Sequence, residues 1–452
     1  MHNLIGDKKF YKTLFQVAAP LVLQQLITTS VQLVDNVMVG RLGETSIGAV
    51  SIVNQLYFVV ILVTFGVYAG GGIFTSQFYG SKDYDKVKET FRFKVILGFF
   101  VALLAFVLFT IFGETLIRLF TVNEETVKLG LTYLNVAKWT AFPWILSVSI
   151  SNTFREIGIT KPLLKISIVA IITNTVLNFI FIFGLLFVPA LGVLGAAIAT
   201  LIARIVEFSL MIGLVIKEGK IFNTKIRDLF IINKKLLRQM VVMAIPLTLN
   251  ELLWSSGQTA FLHAYSTRGD SALAAMNITG AISQLVFVLF GGIATAVAVL
   301  VGKELGSNKL DEAKDNSKKL IATAVFLAFN AGVLLFILSF FILNIYDVSI
   351  YTKSIAQFNI RINALFIPVF SFNSAMFFTL RAGGDTKSTF IMDSGYMWLV
   401  AVPAALILAY FTKLEVTMMF LIVQCLDIPK TLISFMRYKK GRWVKNLALE
   451  QV

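Results

Sequence analysis

Asp35 stands in VQLVDNVMVG, residues 31–40, a run that otherwise reads as membrane-spanning helix. A bare carboxylate in hydrocarbon costs at least ~2.5–3.5 kcal/mol on insertion scales, so an acid kept there is a functional candidate. Such a group could hold a proton or, with oxygen ligands around it, a hard cation such as Na⁺, and release it in another conformation. The plainer alternative is an acid near a helix end that reaches the interface. Asp35 lies well beyond Pro20, roughly 22 Å along a helix at ~1.5 Å per residue, toward the outer half. Asn174 and Asn178, spaced i, i+4, put two amides on one helical face. Amide oxygens ligate Na⁺, and amides also bond helix to helix. Thr200, closing IAT, could join the same pocket or simply pack. Glu251, in IPLTLNELLWSSG, is a second intramembrane acid; it follows closely on Pro246, so a residue facing the cytoplasmic side is its competing reading. Asp393 and Asp427 read as interfacial acids, and Arg204 and Glu207, at i, i+3, as a self-neutralising pair.

These candidates need a membrane bundle to hold them. Of 452 residues, 57% are hydrophobic and 14% charged, where a soluble chain carries about 25% charged residues. Mean hydropathy is +0.81. Apolar runs long enough to span recur along the chain, which identifies an all-α integral membrane protein. The net charge of +15 does not indicate nucleic acid, because the basic residues gather in alternate loops and no nucleic-acid motif is present. One cysteine, Cys425, and two histidines, His2 and His263, leave no set for a disulfide or a histidine metal centre. The segment MHNLIGDKKFYKTLF lacks a small-residue cleavage site and reads as a retained cytoplasmic segment.

Spanning runs are expected near 14–39, 47–79, 92–113, 131–153, 163–187, 190–216, 240–263, 271–302, 318–343, 357–379, 388–411 and 415–436. The basic N-terminus, the loop with Lys82, Lys86 and Lys88, the central KEGKIFNTKIRDLFIINKKLLR and the tail RYKKGRWVK orient twelve helices with both termini in the cytoplasm. A shift of half the chain, 226 residues, then superimposes the punctuation without a gap. Pro20 falls on Pro246, Gly43 on Gly269, Gly66 on Gly292, Gly80-Ser81 on Gly306-Ser307, and REIGITK on RAGGDTK. An even number of helices per repeat makes the repeats parallel, related by a pseudo-two-fold axis along the membrane normal. The expected division is an N-lobe over 1–216, a basic cytoplasmic linker over 217–239, a C-lobe over 240–436 and a basic tail over 437–452, with a cleft between the lobes. Pro143 and Pro368 sit near equivalent places in helices four and ten, where they could act as hinges or as inherited static bends.

AAPLVLQQLITTSVQLVDNVMVGRLGETSIGAVSI, NTVLNFIFIFG with LGVLGAAIAT, and the paired REIGITKP and RAGGDTK together resemble the multidrug and toxic compound extrusion (MATE) family over nearly the whole chain. The resemblance implies a secondary transporter, with no cofactor, exporting organic and often cationic, amphipathic compounds in exchange for H⁺ or Na⁺. It also implies two lobes that rock between inward- and outward-open states, in a bacterial inner membrane. In the family pattern the face of Asn174 and Asn178 looks toward the first-helix acid, giving a coupling-cation site of Asp35, Asn174, Asn178 and Thr200, with Na⁺ a candidate ligand at the first three. Some relatives carry an aspartate at the position of Asn178. Glu251 resembles the C-lobe acid of several branches, but the acid some of those carry in helix ten is missing from NALFIPVFSFNSAMFF. A flippase for a lipid-linked or amphipathic substrate is the nearest rival, and few intramembrane bases, Lys138 and Arg204, speak against its pyrophosphate. A receptor or a membrane enzyme is more remote: no HExxH or GxSxG motif and no nucleotide loop occurs. A monomer is expected, since each chain holds its own cleft.

Overall fold

The computed structural model describes residues 4–185, 188–222, 228–229 and 231–449. His2, positions 223–227 and 230 of the basic linker, and 450–452 of the tail lie outside them. The described residues form twelve long helical segments and no strand: α1 (Lys8–Gly40), α2 (Glu44–Gly80), α3 (Tyr84–Arg118), α4 (Glu124–Glu156), α5 (Lys161–Phe183), α6 (Gly192–Lys217), α7 (Lys234–Ser266), α8 (Asp270–Gly306), α9 (Leu310–Leu338), α10 (Ile350–Ala382), α11 (Thr386–Phe411) and α12 (Val416–Lys439). Eleven are long and apolar enough to cross a membrane. The exception, α4, has 33 residues but carries acids in its first turn and Arg155 in its last. Helices extend past the expected spans because their polar ends continue the backbone hydrogen bonding beyond the apolar stretch. A short turn, Gly219–Phe222, falls within the expected linker.

The repeat is visible in the backbone itself. Gly43 and Gly269 both take left-handed conformations, φ 108° and 95°, at the turns from α1 to α2 and from α7 to α8. Only glycine adopts such angles without strain, so this matched pair has a geometric cause. Lys82 and Asn308, also 226 residues apart, are the two non-glycine residues with positive φ among those described, at 62° and 60°. Asn123 caps α4 by accepting from Thr126 N at 3.0 Å, and its counterpart Ser349 caps α10 by accepting from Thr352 N at 3.1 Å.

The chain divides into two compact units, Leu23–Tyr79 with Asp83–Thr248 (the N-unit), and Met1–Val22 with Gly80–Lys82 and Leu249–Val452 (the C-unit). The division falls inside α1 and α7, just after Pro20 and Pro246. Within the N-unit the start of α7 packs on α2 at two glycines: a Cβ on Gly66 would lie 2.3 Å from Thr248 Cα, and one on Gly70 would lie 2.6 Å from Ala244 Cα. Within the C-unit the start of α1 packs on α8, where a Cβ on Gly292 would lie 3.1 Å from the Val22 backbone nitrogen. Small residues let helix backbones approach this closely in a membrane, which accounts for the matched Gly66 and Gly292. The N-unit core is built on Val50, Val53, Phe109, Leu134 and Ala197. The C-unit packs Leu14, Val17 and Leu21 of α1 against Val297, Leu320 and Met376.

Gly70 gives a sharp test of this packing. Gly70→Val forces side chain into backbone, and overpacking of this kind typically costs about 1–3 kcal/mol. The expected result is a lowered unfolding temperature in detergent. An unchanged midpoint would show that α2 and α7 do not meet at this glycine.

α11 is irregular. Ile391–Gly395 and Met397–Ala401 are π-helical, immediately before Pro403. Proline lacks an N–H and its ring crowds the carbonyl four residues back, so a widened turn relieves the clash. The widened stretch contains Asp393.

Candidate functional site

Helices α1, α5 and α6 of the N-unit bring four of the sequence-derived candidates together. Asp35 comes from the last turns of α1, Asn174 and Asn178 from one face of α5, and Thr200 from α6. Asn178 Nδ2 donates to Asp35 Oδ1 at 2.9 Å and also to Asn174 Oδ1 at 3.3 Å. Asn174 Nδ2 donates to Thr200 Oγ1 at 3.4 Å, and the Thr200 hydroxyl donates to Ala196 O at 2.9 Å. Gly184, at φ 76°, ends α5 in a left-handed cap, and Leu191 N then donates to Phe181 O at 2.9 Å. That closure returns the chain into α6 and sets Thr200 beside Asn174. The buried Tyr133 of α4 faces Thr200 from the fourth side.

Asn178 is 2% exposed, yet its Oδ1 has no hydrogen-bond donor among the described residues. Buried amide oxygens are nearly always satisfied, so an open one beside a carboxylate fits a cation or a proton-bearing ligand. Asp35, Asn174, Asn178 and Thr200 together offer hard oxygens at short range and no soft ligand, the chemistry that suits Na⁺ or a proton on the carboxyl group. No group of three or more His, Cys, Asp or Glu that could hold a metal occurs among the described residues.

Glu251 is not part of this group. It belongs to a charged cluster in the C-unit, where its Oε1 lies 3.7 Å from Arg381 Nη1. Nearby, Asp393 Oδ1 accepts from Lys430 Nζ at 3.0 Å and its Oδ2 accepts from Asn250 Nδ2 at 3.2 Å. Lys430 also lies 3.5 Å from Asp427, and the Ser394 hydroxyl donates to Asn250. Asp393 has a 14% exposed side chain inside a network of two bases and three acids, and Asp427 is paired there with Lys430. The repeat contained the signal. At the constant offset Gln24 matches Asn250, Ser167 matches Asp393, Arg155 matches Arg381 and Arg204 matches Lys430. In the N-unit three of those counterparts are also joined, Gln24 Nε2 donating to Ser167 Oγ at 2.6 Å and Arg155 Nη2 to Gln24 Oε1 at 3.3 Å. Both halves keep the bases at these positions, and the C-unit adds the acids Glu251, Asp393 and Asp427 where the N-unit has Gln25, Ser167 and Leu201.

The N-unit also holds an ion pair, Lys94 with Glu156, that no sequence motif marks. Lys94 is fully buried and also donates to Thr75 Oγ1 at 3.0 Å and Thr153 Oγ1 at 3.3 Å. It ties α3 to α2 and α4 as a satisfied structural pair. Arg204 and Glu207 are ion-paired at 2.7 Å. Pro143 and Pro368 lie inside α4 and α10.

Comparison with known proteins matches this architecture. The MatE family model aligns with residues 20–180 and again with 246–411, two matches spaced by the same offset as the repeat. A Bacillus subtilis protein described as "Probable multidrug resistance protein YoeA" is 26% identical over 91% of each chain. Another from Bacillus subtilis, "Uncharacterized transporter YisQ", is 23% identical over 98% of this chain and 96% of its own. Among solved structures, a mutant of a Vibrio cholerae MATE transporter superimposes with a TM-score of 0.88 at 19% identity, covering 98% of this chain and 99% of that one. With the family model matching each half of the duplicated bundle, this chain belongs to the MatE family of membrane transporters and is not an enzyme.

Proposed function

We propose that the protein is a cation-coupled antiporter that exports organic, cationic and amphipathic compounds from a bacterial cell by alternating access. Its place is the inner membrane, with both termini cytoplasmic, and it acts as a monomer. The multidrug designation of YoeA and the solved MATE relatives supports the cargo class. The observation that carries the coupling is the Asp35–Asn178 hydrogen bond beside the unpartnered Asn178 Oδ1. There H⁺ or Na⁺ binds from outside, neutralises Asp35 and favours the state that releases substrate outward; discharge of the cation inward resets the cycle. A ligand shifts such an equilibrium only through different affinity for the two states, and a lone carboxylate supplies that difference through its charge. Asn174 and Thr200 complete the oxygen set. Glu251 is a subsidiary acid of the C-unit with Arg381 as its built-in counter-ion, and Pro143 and Pro368 serve as bending points.

The deciding experiment is efflux of a cationic dye from proteoliposomes with Na⁺ and pH gradients imposed separately. We expect one of the two gradients to drive efflux by itself. Efflux that follows neither would overturn the coupling.

A further inference from the structure

Arg204 lies one turn beyond Thr200 on α6, about 6 Å along the axis at ~1.5 Å per residue. It shares the α6 face of Thr200, which is linked through Asn174 and Asn178 to Asp35. Even so, it forms no salt bridge with Asp35. Nη1 instead donates to Glu207 Oε2 at 2.7 Å, further along the same helix. Side chains on a helix lean toward its N-terminus, which for Arg204 is the side of Thr200 and Asp35. Glu207 leans the same way, back onto Arg204, and its carboxylate occupies Nη1 of the guanidinium.

The duplicated half supplies the contrast. At the constant offset Arg204 corresponds to Lys430 and Glu207 to Ile433. Both halves keep a base at this place on the last helix of the six. Ile433 cannot hold a base back, and Lys430 lies directly on the acids of its own unit, 3.0 Å from Asp393 and 3.5 Å from Asp427. In the N-unit the positions of Asp393 and Asp427 are held by Ser167 and Leu201, and the base pairs instead with the acid three residues on, forming no salt bridge with Asp35.

We propose that Glu207 is a positioning residue that keeps Arg204 off Asp35, and that Arg204, once released, is a tethered cation competing with the coupling cation for that carboxylate. This inference rests on the reading of Asp35 as the coupling acid. An arginine that loses its partner within the membrane turns to the nearest carboxylate, because an isolated charge there is costly. Occupation of Asp35 by Arg204 removes the competent state, and apparent affinity for the coupling cation falls by the fraction removed.

Proteoliposome efflux measured against the concentration of whichever cation drives the wild type tests this directly. Glu207→Gln should need about tenfold more cation for half-maximal efflux, with the maximal rate regained at saturation. Glu207→Asp, which keeps the pair, and the double variant Glu207→Gln/Arg204→Gln should both lie within about twofold of wild type. A double variant as shifted as Glu207→Gln, or no shift in Glu207→Gln, overturns the proposal. Arg204→Gln by itself gives a check independent of how Glu207→Gln folds: loss of a competitor cannot weaken cation binding, so a raised half-saturating concentration also overturns it. Asp35→Asn in the same vesicles separates the two readings. If it retains ion-driven efflux, the coupling assignment of Asp35 has failed; if it abolishes that efflux while Glu207→Gln is unshifted, only the role of Arg204 has failed.

Discussion

Asp35→Asn is expected to fold and insert as wild type does while losing efflux driven by an ion gradient. The substitution is nearly isosteric, and the new amide oxygen can still accept from Asn178 Nδ2, as the carboxylate does at 2.9 Å. The packing of α1 on α5 is therefore retained, and only the negative charge is lost. With it goes the difference in cation affinity between conformations, and a ligand that binds both states equally shifts nothing. Gradient-driven dye efflux from proteoliposomes should fall at least about tenfold, to the level of protein-free vesicles. The elution profile and unfolding temperature in detergent should stay those of wild type. Ion-driven efflux at the wild-type rate would sink the assignment. Asn178→Ala should weaken the same site less, since it removes an oxygen and a hydrogen bond but leaves the charge.

The twelve helices and their duplication were legible in the sequence because the bilayer imposes them. Hydrocarbon demands that every backbone polar group be satisfied within a helix, so apolar length maps onto structure with little interference from tertiary contacts. The offset of 226 residues was readable for a related reason: Gly43 and Gly269 require positive φ, and Gly66 and Gly292 allow close helix approach. Those needs persist after the side chains between them diverge. The N-unit group was accessible from the i, i+4 spacing of Asn174 and Asn178, although only the family resemblance aimed their face at Asp35. The C-unit network was not accessible in the same way. Asp393, Asp427 and Lys430 each resemble interfacial residues when read along one helix. Their pairing depends on how α11, with its widened turns before Pro403, meets α12 and α7. No single-helix periodicity contains that information. Comparing the repeats position by position does, since Ser167 with Gln24 occupies in the N-unit the node that Asp393 with Asn250 occupies in the C-unit.

Lys430 is expected to carry a large share of the stability of the C-unit. It is bonded to Asp393 at 3.0 Å and lies 3.5 Å from Asp427, with only 13% of its side chain exposed. Removing one partner of a buried pair costs more than the pair itself contributes, because the remaining charge is left without compensation. Lys430→Met keeps the length and apolar stem of the side chain, so its effect isolates the charge. Asp393 would keep only its bond from Asn250, and Asp427 would lose its ammonium neighbour. The expected destabilisation is about 3–5 kcal/mol, read as an earlier thermal unfolding transition of the detergent-solubilised protein. Adding Asp393→Asn should recover at least half of the loss, because the new amide oxygen still accepts from Asn250 and the neutral side chain no longer needs a cation. The sign of that recovery decides between two accounts of the cluster. If it occurs, and the recovered protein responds to ions as wild type does, the C-unit charges are a structural network and coupling resides with Asp35. If the protein regains stability without regaining its ion response, Asp393 and Lys430 take part in the transport cycle itself. Should Lys430→Met unfold at the wild-type temperature, the ion pair does not support the fold at all.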